Sequence, residues 1–128
     1  MIKNNELILN QEKEYGNLFY REIIAMEYYV DTSEKEAYLL LTFILTTKSE
    51  NNKFKVTISY EGIKDYKFKN TDSSIYLTEE LWIIDNTDKG WENNYKYHVF
   101  DPDCDGEPYN HIDFYCSKIE ITSDLKIL

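Results

Sequence analysis

Glycine and proline are scarce in this chain, at 4 and 2 of 128 residues, and the hydrophobic fraction of 42% is far too high for a chain that stays unfolded. Arginine is scarcer still. Arg21 is the only one, and 14 basic against 24 acidic residues leave a formal net charge of -10. A protein that grips phosphates needs a basic surface and usually arginine forks, so nucleic acid is excluded as the expected partner. The two cysteines, Cys104 and Cys116, are too far apart for a C-x-x-C motif, and they are expected as thiols in a reducing cytosol. No window approaches the ~20 apolar residues of a membrane span, and the first residues lack the apolar region of a secretory signal. The expected location is therefore cytoplasmic, with no membrane partner. G-x-S-x-G, P-loop and G-x-G-x-x-G patterns are also missing, and the expectation is a protein that is not an enzyme.

What the chain does have is aromatic residues: 12 Tyr, 6 Phe and 2 Trp. Aromatic and β-branched side chains suit the half-buried surface of a sheet. The length fits one domain, residues 1–128, able to bury about two thirds of its unfolded surface.

Alternation is clearest at 53–60, where Phe54, Val56, Ile58 and Tyr60 point in while Lys53, Lys55, Thr57 and Ser59 point out. Before it, Leu39, Leu41, Phe43 and Leu45 share the inner face of a strand at 37–47, with Leu40 and Ile44 on the other side. Residues 18–30 read as its hairpin partner, with Ile24, Met26, Tyr28 and Val30 as the core face. Leu7-Ile8-Leu9 fits a short strand, followed by a polar piece that fits a helical turn. Glu61-Gly62 marks a bulge or bend. Leu81-Trp82-Ile83-Ile84 is apolar on both faces, the pattern of a central strand. Ser117-Lys118 reads as a bulge, and 125–128 as an edge pairing or a frayed end. The expected fold is mainly β, an antiparallel meander of about seven or eight strands forming a curved sheet or small sandwich.

Two further arms, 95–100 and 111–116, flank the acidic loop Asp101-Pro102-Asp103-Cys104-Asp105-Gly106-Glu107-Pro108-Tyr109-Asn110. Tyr97, Val99, Ile112, Phe114 and Cys116 fall on one face; Lys96, His98, Phe100, His111, Asp113 and Tyr115 fall on the other. Pairing Phe100 with His111 would set both histidines beside the single carboxylate of Asp113. The loop matches the first half of a calcium pattern, in which Asp101, Asp103 and Asp105 would converge on a hard cation. Position twelve, where a bidentate Glu is wanted, is Ile112. Calcium is thus the one cofactor the sequence suggests, and a cation-binding β domain is the alternative function.

Tyrosines at 29, 38, 76, 95, 109 and 115 exceed what one core needs, and tyrosine favours interfaces because it joins an apolar face to a polar tip. Tyr95, Tyr109 and Tyr115, with the carboxylates of Asp113 and Glu107, are the candidate partner-contact residues. Three stretches, Val56-Thr57-Ile58-Ser59-Tyr60-Glu61-Gly62-Ile63, Leu81-Trp82-Ile83-Ile84-Asp85 and Ile112-Asp113-Phe114-Tyr115-Cys116-Ser117, give an order of features that resembles the small acidic β-sheet immunity proteins bacteria encode beside polymorphic toxins. The resemblance spans residues 18–122. It implies a cytosolic binding module without catalytic residues that neutralises a basic partner, such as a cognate toxin domain. The D-x-D-x-D-G loop departs from that pattern.

Overall fold

The computed structural model describes residues 2–69, 74–77, 80–90, 95–103 and 109–128. The protein is mainly β, built from two antiparallel sheets that share one core. Strands β1 (Phe19–Asp31), β2 (Glu36–Thr46) and β3 (Lys53–Glu61) form the meander the alternation predicts. They are followed by β4 (Lys64–Phe68), β5 (Ile75–Tyr76), β6 (Trp82–Asp85), β7 (Tyr97–Phe100), β8 (Ile112–Cys116), β9 (Lys118–Ile121) and β10 (Lys126–Ile127). One sheet has the order β10-β3-β2-β1-β5, with β9 also paired to β3; the other runs β4-β8-β7-β6. Since β2 occupies one edge of β3 along its whole length, β9 and β10 lie end to end on its other edge. The tail pairs at an edge.

The chain leaves β3 for β4 and returns from β8 to β9 at one corner, while β5 is a separate excursion into the first sheet. Gly62, at φ 73°, lets the backbone turn after Glu61 so that the Gly62 and Ile63 N–H groups both reach the Ala37 carbonyl. On the return, Ser117 donates both its N–H and its hydroxyl to the Glu61 carbonyl, at 2.9 and 3.0 Å. Ser117 is thus a junction between sheets, where the sequence suggested a bulge.

Phe54, Val56, Ile58 and Tyr60 are buried as expected, as are Leu39, Leu41, Phe43 and Leu45. The face assigned to 18–30 is corrected. Its register against β2 shifts twice, between Tyr20 and Glu22 and between Ile23 and Ala25, so Arg21 and Ile24 are extra residues that each flip the phase. The inward positions become Tyr20, Ile23 and Met26, while Ile24 and Val30 are exposed. Leu7-Ile8-Leu9, too short for its pattern to decide, does not form a strand but belongs to helix α1 (Glu6–Tyr15) together with the polar piece after it, which is helical as expected. The helix buries Ile8 and sets Tyr15 edge-on against Phe54, with ring centroids 5.1 Å apart. Strand β6 is the last of its sheet and not central, and Trp82 is 53% exposed.

Candidate functional site: an aromatic stripe on the four-stranded sheet

The faces of β7 and β8 fall as the alternation predicts. Tyr97, Val99, Ile112, Phe114 and Cys116 are buried. The register does not: His98 lies opposite Tyr115 and Phe100 opposite Asp113, two residues away from the expected pairing. A two-residue slip keeps every side chain on its face, but it changes which neighbours meet.

Those neighbours build a continuous row of rings on the outer face. The His98 ring stacks on Tyr115, with centroids 4.3 Å apart and planes 10° apart, and on Phe100 at 4.6 Å. Tyr95 meets Tyr115 at 5.1 Å at one end, and Trp82 meets Phe100 at 5.9 Å at the other. Strand pairing supplies the order, since Trp82 is opposite Phe100 and Ile84 opposite His98. Beneath the row His98 Nε2 and Asp113 Oδ1 are 2.7 Å apart, which fixes the imidazole plane parallel to Tyr115.

Three of the predicted contact residues, Tyr95, Tyr115 and Asp113, therefore converge. Tyr109 does not join them; the Lys69 ammonium lies 4.6 Å from its ring centroid and donates to its carbonyl at 3.1 Å. Glu107 lies outside the described residues. Trp82 and Phe100 complete the stripe and were not foreseen as contacts. Apolar residues at 82 and 84 in phase with outward-facing His98, Phe100 and Tyr115 are the sequence signal that could have revealed them.

The histidines do not share a carboxylate. His111 pairs with Asp101, whose Oδ1 accepts the N–H groups of His111 and Ile112 at 2.9 and 2.8 Å and whose Oδ2 accepts from His111 Nδ1 at 2.8 Å. Asp101 is only 1% exposed, and the Asn110 N–H donates to its carbonyl at 2.9 Å. It closes the base of the acidic loop. A cation bound through Asp101 would have to compete with these internal donors. Asp105 and Cys104 lie outside the described residues, and among the described residues no three His, Cys, Asp or Glu side chains cluster as a metal site.

Two perturbed groups end the strands that carry the stripe, β6 and β8. The hydroxyl and N–H of Thr87 both donate to Asp85 and hold its carboxyl below the usual range. On the inner face, burial pushes the Cys116 thiol up to about 12, so it stays protonated and unreactive at neutral pH. No described helix is long and apolar enough to cross a membrane. Comparison with protein-family models, curated proteins and solved structures finds no match.

Proposed function

We propose that this chain is a protein-binding module, acting in the cytoplasm, that takes a basic partner protein on the outer face of its four-stranded sheet. The observation that carries the reading is the ring row Trp82-Phe100-His98-Tyr115-Tyr95, capped by a tryptophan that is 53% exposed. Rigid aromatic side chains offer large contact area at little entropic cost, and tryptophan and tyrosine dominate interface hot spots. A net charge of -10 attracts a basic protein and speeds its encounter. Neutralisation of a toxin domain is the particular form that the resemblance to immunity proteins implies.

Co-purification from the source cells with a tagged chain tests the proposal. The expected result is a basic protein retained by the wild type and lost from both Trp82→Ala and Tyr115→Ala. Recovery of nucleic acid alone, or of a partner indifferent to both substitutions, contradicts it.

A further inference from the structure

The outer face of the six-stranded sheet carries its own pairing of rings and charge, at the hairpin end of β1 and β2. Leu39 is fully buried, so Tyr38 points the other way, together with its cross-strand partners Tyr29 on β1 and Glu61 on β3. The rings of Tyr29 and Tyr38 stack with centroids 5.1 Å apart and planes 8° apart, and Tyr29 is 42% exposed. These residues and their neighbours in the chain all belong to the described part of the structure. The segments on either side of residues 70–73 are held elsewhere, Lys69 to His111 in the other sheet and Ser74 to Glu22 near the far end of β1.

Charge on this face is unbalanced. The Tyr38 hydroxyl lies 3.2 Å from both Glu34 Oε2 and Glu61 Oε1. A hydroxyl has one proton to give and an ionised carboxylate has none, so one contact is a hydrogen bond and the other sets oxygen against oxygen. Desolvation, with the charges of Glu61 and Glu34, pushes the hydroxyl up to about 12, and it stays protonated. Next along the face Asp31 stands directly opposite Glu36, a like-charge pair that costs stability. The Ser33 hydroxyl and the N–H groups of Glu34 and Ser33 hold Asp31 below the usual carboxylate range, so it keeps its charge. Among the described residues only Lys118 offers this group an ion pair, with Glu61 Oε2 at 3.9 Å.

A guanidinium matches these features together. Its planar fork bonds carboxylates and its face stacks on tyrosine, whereas an ammonium is a compact point charge. Two carboxylate oxygens that share the Tyr38 hydroxyl as a neighbour lie within reach of one fork. We propose that the outer face at Tyr29 and Tyr38 takes an arginine side chain of a partner protein, held between Glu34 and Glu61 with its stem along the stacked rings. A bare hard cation would want six to eight oxygens and no ring, and among the described residues no group of three acidic, His or Cys side chains could hold a metal. The sign of the occupant's charge agrees with the binding function proposed above. The surface is separate from the aromatic stripe and does not rest on it.

Titration of the isotope-labelled full chain with three end-blocked tripeptides, followed by NMR, tests this. The first is glycine-arginine-glycine, the second replaces arginine by citrulline, which keeps its shape and removes its charge, and the third replaces it by lysine. The arginine peptide is expected to shift the ring signals of Tyr29 and Tyr38 and the carboxyl signals of Glu34 and Glu61. The citrulline peptide should bind at least about tenfold more weakly, and the lysine peptide should fall between the two. Glu34→Gln with Glu61→Gln should abolish the preference for arginine over citrulline. Asp88→Asn with Asp124→Asn, which removes the same charge at two exposed positions elsewhere, should preserve it. Three results each overturn the proposal: no shift at millimolar peptide, equal binding of the citrulline peptide, or equal loss in the two double variants. Shifts confined to the Trp82 and Tyr115 face overturn it as well and assign the arginine to the stripe. None of these uses the natural partner, so failure here leaves the stripe proposal standing, and failure of co-purification leaves this titration interpretable.

Discussion

Tyr60 of β3 meets Phe114 of β8 edge to face, with ring centroids 5.1 Å apart and planes at 78°. This contact joins the two sheets at the centre of the core, and both side chains are fully buried. Phe114→Ala should therefore cost about 3–5 kcal/mol, and Ile58→Ala about 2–5 kcal/mol, in denaturant melts. Losses under about 1 kcal/mol for both would place these side chains outside the core.

The Tyr60 hydroxyl gives a sharper comparison, because no described donor or acceptor reaches its Oη. A buried hydroxyl without a partner costs desolvation and returns nothing. Tyr60→Phe is expected to leave stability unchanged or raise it by up to about 1 kcal/mol. A loss above about 2 kcal/mol would show that the hydroxyl is satisfied.

Asp101 should matter far more than an ordinary loop carboxylate. Asp101→Ala strands the buried N–H of Ile112 and unpairs His111, at a cost of about 2–4 kcal/mol. Melts of Asp124→Ala, which removes an exposed carboxylate, measured alongside, should show a smaller change. Equal effects would remove the latch role of Asp101.

Stability should also fall on the alkaline side. Burial, with Glu12 and Glu80 nearby, raises the Tyr20 hydroxyl to about 12, and burial alone raises the Cys116 thiol to about 12. In the unfolded chain these groups ionise near 10.0 and 9.0. Above those values the unfolded state binds fewer protons than the folded one, so unfolding becomes easier as pH rises. The contribution is complete below about pH 9 and is lost progressively towards about pH 12. Melts from neutral pH upward should show this decline, shallower in Cys116→Ala after correction for its own cost. A midpoint constant across that range would contradict the burial of both groups.

Side-chain period carried most of the fold in advance. Where strands are regular, as from Phe54 to Tyr60, alternation alone named the core, and the faces of β7 and β8 followed in the same way. Period could not reveal Arg21 and Ile24 as extra residues, because a bulge resets the phase and leaves composition unchanged. Nor could it detect the slip that gave His98 and His111 separate carboxylates, since register in a hairpin depends on its turn. Leu7-Ile8-Leu9 is too short to distinguish helix from strand. In β6 the doubly apolar pattern was a true signal attached to the wrong cause: its outer face belongs to a surface stripe, not to a strand at the centre of its sheet. Tyr115 and Asp113 were legible as outward-facing because they share one phase, and Tyr95 only as a tyrosine in excess of the core, whereas Trp82 reached them only through a long-range pairing.

The most direct test of the binding function is kinetic. Once a basic partner is in hand, its association and dissociation rates with wild type and Trp82→Ala can be measured from low to high salt. Exposed charges are screened beyond about 8 Å at physiological ionic strength, so the association rate should fall steeply with salt in both proteins. Loss of the tryptophan should act on dissociation instead, raising that rate by about thirtyfold or more, as removal of a hot-spot aromatic does. A flat salt profile together with an unchanged dissociation rate in Trp82→Ala would contradict the account.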